Sequence, residues 1–283
     1  MQKVQVITDS DSSLPVEIAA KYGIKLVPIT IRFGDETFTT NLDIDDMTLF
    51  EKINKVNKLP STDAPTSGAF AAAFNESFVS GAKEILCICV GTKVSKTYES
   101  AVLATREFPG RRIKVIDSQF MSMGEGFLAI AAAESLARGE SIDSVGQKIE
   151  SMIPNLYTFA SLTTLKYLAM SGRVAKFVAG FSSLMDIRPL LTIKDGTLQM
   201  VDRIRSHDAA MESLVALISK AVSKKKIERA AIYHINNLDD AKILEAKMKE
   251  KLQLPLEMEI VPFTPGLSVH AGDGLIGAAF YAV

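Results

Sequence analysis

The chain has 283 residues, 47% of them hydrophobic and 23% charged, with 32 basic against 33 acidic side chains. That balance fits an ordinary soluble globular protein of one large or two ordinary domains. A net charge of −1 gives no global field that would hold nucleic acid or an anionic membrane surface. The opening "MQKVQVITDSD" has no signal-peptide layout, and no stretch approaches a transmembrane span, so a cytoplasmic location is expected.

In chain order, "KVQVITD" predicts a strand and "LPVEIAAKYG" a short helix ending at Gly23. "IKLVPITIRF" reads as one strand, and "DDMTLFEKINKV" as a helix. After the loop "PSTDAPT", Phe70, Phe74 and Phe78 recur every four residues and predict a helix capped by Thr66 or Ser67. "EILCICV" is the short apolar run of a strand buried on both faces. Its Cys87 and Cys89 share one face, without the His or second Cys pair a metal site needs, and are expected as buried thiols. "KTYESAVLATREF" predicts a helix, "RIKVIDS" a strand, and "FMSMGEGFLAIAAAESLARG" a long buried helix. This alternation argues a mostly parallel sheet with helices on both faces.

From "LYTFASL" onward the pattern changes: a strand, helices to about residue 186, then "RPLLTIKDGTLQMVDRI" as a hairpin turning at Asp195-Gly196. A helix, a strand, a helix and two further strands complete the chain. The expected architecture is therefore α/β in residues 1–155 and α+β in residues 156–283.

Three loops carry the polar chemistry. "ITDSDSSLP" follows the first strand, where open α/β sheets bind ligands, and offers Asp9 and Ser10, with Ser12 or Ser13 read as N-caps. It contains neither G-x-G-x-x-G nor a P-loop lysine, so a nucleotide site has little support. "PSTDAPTSGAF" presents the hydroxyls of Ser61, Thr62, Thr66 and Ser67 at a helix start, a setting that favours an anion. "VGTKVSKTYESA" adds Thr92, Ser95 and Thr97 at another strand-to-helix junction. Among the histidines, His207 at a helix start and His234 at a strand end read as structural. His270 precedes Gly272, Asp273 and Gly274, a stretch that permits close backbone approach to a ligand. Arg173, beside Gly172, is suited either to pair an anion or to end a helix as a solvated cation. No cluster has metal-ligand spacing, and no cofactor is implied.

These stretches together resemble the DegV family of bacterial fatty-acid-binding proteins, nearly end to end. "ITDSDSSLP" resembles the family's T-D-S-x-x-D/S-L-P, "STDAPT" its T-S-Q-P-S loop and "VSKTYESA" its L-S-G-T-Y-x-S-A. "VIDSQFMSMGEG", "TLKYLAMSGRV", "DIRPLLTIKDG" and "HAGDGLIGAAF" resemble V-x-D-S-x-x-x-S-M-G, L-x-Y-L-x-x-G-G-R-I, I-K-P-I-L-x-x-x-D-G and H-x-G-P-G-x-x-G. The resemblance implies a two-domain protein enclosing one long-chain fatty acid, such as palmitate, stearate or oleate, between its domains. Thr62 and Ser95 match the family's carboxylate-binding positions, and His270 and Arg173 match residues near the headgroup. Some members are the binding subunit of a bacterial fatty acid kinase, presenting the carboxylate to an ATP-binding partner. Arg203 and Arg205, in "VDRIRSHD", match a basic family segment nominated for docking that partner. Transient membrane contact is compatible with such a role.

Four positions depart from the family pattern. Asp63 and Ala64 replace Ser and Gln, Lys96 replaces Gly, and Asp273 replaces Pro. Two of the departures add negative charge near a supposed carboxylate, with Lys96 a candidate counter-charge. Two other readings stand beside the carrier: a hydrolase or acyltransferase using Ser95 and His270, and a sensor of a non-lipid small molecule.

Overall fold

In the computed structural model, residues 4–172, 187–255 and 258–283 are described. The first half runs β1 (Val4–Asp9), α1 (Val16–Lys21), β2 (Ile24–Val27), β3 (Thr30–Phe33), β4 (Glu36–Thr39), α2 (Asp46–Val56) and β5 (Ser61–Asp63). It continues with α3 (Ser67–Val79), β6 (Glu84–Cys89), α4 (Thr97–Thr105), β7 (Arg112–Asp117), α5 (Met123–Ala137) and α6 (Ile142–Met152). Then come β8 (Leu156–Ser161), α7 (Lys166–Met170), β9 (Arg188–Lys194), β10 (Thr197–Ile204) and α8 (His207–Val222). The chain closes with β11 (Ile227–His234), α9 (Leu238–Lys251), β12 (Glu259–Pro262), α10 (Pro265–Ala271) and β13 (Ile276–Ala282).

The parallel sheet has the order β2-β1-β6-β7. Its central strand β6 is buried at every position, as its unbroken apolar run requires. Cys87 and Cys89 point to one face with their sulfurs 3.7 Å apart, packed with Phe70 and Phe74 of α3 and Ala101 and Ala104 of α4. Leu86 and Ile88 point to the other face, against α5 and α6. Helices thus cover both faces, as expected.

The second sheet is mixed and six-stranded, in the order β10-β9-β8-β13-β11-β12. Strand alternation divides its side chains: Leu190, Ile232 and Phe280 pack under α8 and α9, while Leu191, Tyr233 and Ala279 face the other way. Helix α5 packs on both sheets, meeting β1 and β6 as well as β8 and β13. A helix buried between two sheets needs apolar residues all round, which explains why "FLAIAAAESLA" shows no polar stripe.

"IKLVPITIRF" does not form one strand. Pro28 interrupts it: Ile24–Val27 joins the parallel sheet, whereas Thr30–Phe33 turns away into a separate three-stranded sheet ordered β4-β3-β5. The hydroxyl-rich loop contributes the edge of that small sheet, with Thr62 paired to Ile31. Helices α6 and α10 were also absent from the sequence reading. The turn of "ITDSDSS" differs as well. Ser10–Ser12 form a short 3-10 turn, and the N-cap of α1 is Pro15, so neither Ser12 nor Ser13 caps that helix. Among the described residues no helix is long and apolar enough to cross a membrane.

Candidate functional site

Three distant segments meet beside the small sheet. Alternation along β5 leaves Ser61 and Asp63 exposed and turns Thr62 inward. Thr62 Oγ1 lies 2.8 Å from His270 Nε2 on α10. Ser95 comes from the loop after β6, its hydroxyl held by a 2.8 Å hydrogen bond with the buried Thr97. Thr62, Ser95, His270 and Asp11 line a small polar pocket of about 30 Å³.

A larger cavity of about 150 Å³ adjoins it, sharing Val94, Leu267 and His270 as common wall. One side is the inner face of the six-stranded sheet, with Ala160, Leu191, Ile193 and Tyr233. Leu168 of α7 and Leu267 of α10 line another part, and Met121 and Ser122 stand where α5 begins. The few polar groups here are mostly satisfied: Thr158 and Tyr233 share a 2.6 Å hydrogen bond, and Thr192 donates to the Thr158 carbonyl. A polar pocket thus opens beside an apolar chamber.

A family model described as "Uncharacterised protein, DegV family" matches residues 3–283. The chain belongs to the DegV family. Curated DegV domain-containing relatives include one from Clostridium acetobutylicum, 30% identical over 98% of this chain and 97% of its own length. Another, from Clostridium perfringens, is 28% identical over 98% of both chains. A fatty-acid-binding DegV family protein from Thermus thermophilus superposes with a TM-score of 0.92 at 26% identity, covering 99% of this chain and 100% of its own. The fold is also that of DegV, a fatty acid binding protein from Bacillus subtilis, with a TM-score of 0.88, 24% identity and complete coverage of both chains.

Within this DegV-family chain the sequence-predicted residues separate into two groups. Thr62, Ser95 and His270 come together, and Thr97 supports Ser95 from behind. Thr92 does not join them: its hydroxyl and N–H both bind the Asp117 carboxylate, at 2.7 and 3.2 Å. Gly272 ends α10 at φ +88° against the Tyr167 ring and lines neither cavity. Arg203 and Arg205 are exposed at the end of the edge strand β10. Arg173 lies outside the described residues.

The charge departures prove to be turned elsewhere. Asp63 pairs with Arg32 at 3.2 Å on the outer side of the small sheet, so Lys96 is not its partner. Asp273 accepts from the Asn236 amide at 3.0 Å and from the Gly274 N–H. Neither carboxylate lines the polar pocket.

Asp9 and Ser10 are both engaged within the fold and line neither cavity. Asp9 is fully buried and accepts from the Val90 and Asp11 N–H groups, joining the carboxyl ends of β1 and β6. Burial raises its pKa to about 6. Ser10 binds Thr40 and the Ile29 N–H. His207 pairs with Asp240 at 2.7 Å, and His234 accepts from the Asn237 N–H. Thr66 is likewise an N-cap, accepting from Ala69 N–H at 3.2 Å.

The sequence reading passed over Asp11 and Ser122. Asp11 is buried in the polar pocket, close to the second residue of α10: a Cβ on Gly266 would meet its Oδ1 at 2.9 Å. Its signal was the acidic residue between two serines in "DSDSS". Ser122 is the serine of "SMG" in the motif "VIDSQFMSMGEG", to which the sequence reading attached no role.

Proposed function

We propose that this protein binds one long-chain fatty acid, such as palmitate, stearate or oleate, between a domain of residues 1–155 and one of residues 156–283. The observation that carries the reading is the junction of two chambers. Hydroxyls of Thr62 and Ser95 converge with His270 in a small polar pocket, and an apolar cavity shares its wall. Hydroxyl donors solvate a carboxylate without a neutralising lysine, and each buried CH₂ of the tail adds roughly 0.8 kcal/mol. Relatedness to the fatty-acid-binding Thermus thermophilus protein supports the same ligand class.

On this reading the protein is a cytoplasmic carrier without turnover of its own. It presents the carboxylate to a separate ATP-binding fatty acid kinase subunit, which docks at Arg203 and Arg205, with transient membrane contact during loading. The hydrolase alternative requires a hydrogen bond from Ser95 to His270. Instead His270 Nε2 faces Thr62, and Ser95 pairs with Thr97. The largely apolar cavity likewise favours a lipid over a polar metabolite.

Native mass spectrometry of the purified protein followed by denaturing lipid extraction tests the reading. Co-purified fatty acid that disappears in Thr62→Ala/Ser95→Ala supports it. A protein that carries no lipid and takes up neither palmitate nor oleate overturns it.

A further inference from the structure

Ser122 occupies an unusual position for a helix-initiating serine. It precedes α5 with φ 52° and ψ −150°, a conformation L residues avoid. Its N–H donates to the Asp11 carbonyl at 2.6 Å, which holds the chain in that conformation. A serine at this place usually turns its oxygen back onto the first N–H groups of its helix. Here the backbone directs it elsewhere, and α5 has no side-chain cap. The hydroxyl is therefore left without a hydrogen-bond partner although only 1% of the residue is exposed.

Its surroundings indicate what it could bind. Ser122 lines the apolar cavity together with Val94 and His270, both of which also line the polar pocket. Asp11, which accepts the Ser122 N–H, belongs to that pocket too. The start of a fifteen-residue helix without a side-chain cap adds partial positive charge at the same point. Glu125 in its first turn does little to cancel that charge, because burial and the neighbouring Asp9 hold its pKa well above the usual carboxylate range.

We propose that Ser122 is a further ligand-binding residue, its hydroxyl donating to a carboxylate oxygen of the bound lipid where the polar pocket meets the apolar cavity. This rests on the fatty-acid reading above. The strained backbone then has a purpose: it keeps the hydroxyl unspent until the headgroup arrives. Without a ligand, that hydroxyl stays buried and unpaired.

Binding of palmitic acid and of methyl palmitate to wild type, Ser122→Ala and Ser122→Gly is the test. Both variants are expected to lose roughly ten-fold in affinity for the acid, since hydrogen bonds to charged groups are the strong ones. The ester, which carries no charge, should bind weakly and almost equally to all three. Glycine accepts a positive φ without strain, so Ser122→Gly should melt no lower than wild type while still losing acid affinity. A purely structural serine would not give that combination. Unchanged palmitic acid affinity in both variants overturns the proposal while leaving the carrier reading intact. Wild type that binds neither acid nor ester removes both.

Discussion

Thr62 Oγ1 and His270 Nε2 stand 2.8 Å apart although 208 residues separate them in the chain. The contact joins the small sheet of the first half to the helix that precedes the last strand. If these groups receive the headgroup, Thr62→Val and Ser95→Ala should each weaken palmitate binding by roughly ten-fold, from loss of a hydrogen bond to a charged group. The melting temperature should change little, because both side chains are only partly buried. Calorimetric titration beside a thermal melt separates the two effects.

The apolar cavity makes a prediction about tail length. Burying each methylene contributes roughly 0.8 kcal/mol, or about four-fold in affinity. Saturated acids of increasing length should therefore bind progressively more tightly at about that slope, until the tail outgrows the chamber. A flat series from hexanoate to palmitate would place the tail outside it.

Asp46 should make stability fall as pH rises. It sits buried in the first turn of α2, where burial, with Asp45 and Asp273 nearby, raises its pKa from 3.8 to about 7. Neither carboxyl oxygen has a hydrogen-bond partner among the described residues, so little in the fold offsets the cost of burying the charge. A raised folded-state pKa favours the protonated fold: the contribution is complete below about pH 4 and is lost progressively up to about pH 7. The shift corresponds to roughly 4 kcal/mol. Asp46→Asn should raise the melting temperature at pH 8 and leave it nearly unchanged at pH 4. Equal effects at both pH values would show that Asp46 titrates normally.

Gly272 should tolerate no side chain. Its φ is +88°, and a Cβ there would lie 2.3 Å from the Tyr167 ring, which is itself packed edge-on against Phe50 at 5.9 Å. Gly272→Ala should therefore cost on the order of 3 kcal/mol, combining backbone strain with overpacking. Chemical denaturation measures it; a loss near zero would mean that the ring moves freely aside.

The docking proposal for Arg203 and Arg205 separates binding from transfer. Arg203→Glu/Arg205→Glu should leave palmitate affinity unchanged and reduce acyl phosphate formation in the presence of a fatty acid kinase subunit several-fold or more, as charge reversal at a partner surface does. Equal transfer rates would move the docking site elsewhere.

Much of this was legible from local pattern. The unbroken apolar run of "EILCICV" has no solvent face, so its burial within a parallel sheet followed from its residues alone. Thr66 and the four-residue Phe spacing marked α3, and Asp195-Gly196 marked the β9–β10 hairpin. Motif order along the whole chain carried the family. "IKLVPITIRF" misled because its apolar pattern continues through Pro28, and only the two sheets competing for its halves reveal the break. Thr92 misled similarly: its hydroxyl resembles that of Ser95 until Asp117 of the neighbouring strand takes it.

The sequence by itself determined most of the elements, the α/β order and the family, because caps, turns and periodicity act over a few residues. It showed no sign of α6 and α10 or of the break at Pro28. The tertiary structure decided which polar groups remain available. Asp63 and Asp273 stand near the candidate motifs in sequence, yet each is engaged by Arg32 or Asn236 and leaves the polar pocket. Nothing in sequence assigns a role to Ser122 or Asp46, yet folding buries one hydroxyl unpaired and one carboxyl nearly dry. A hydrogen-bonding group's chemistry depends on who its partners are and how much water it keeps, and both are set by segments that meet only when the chain folds.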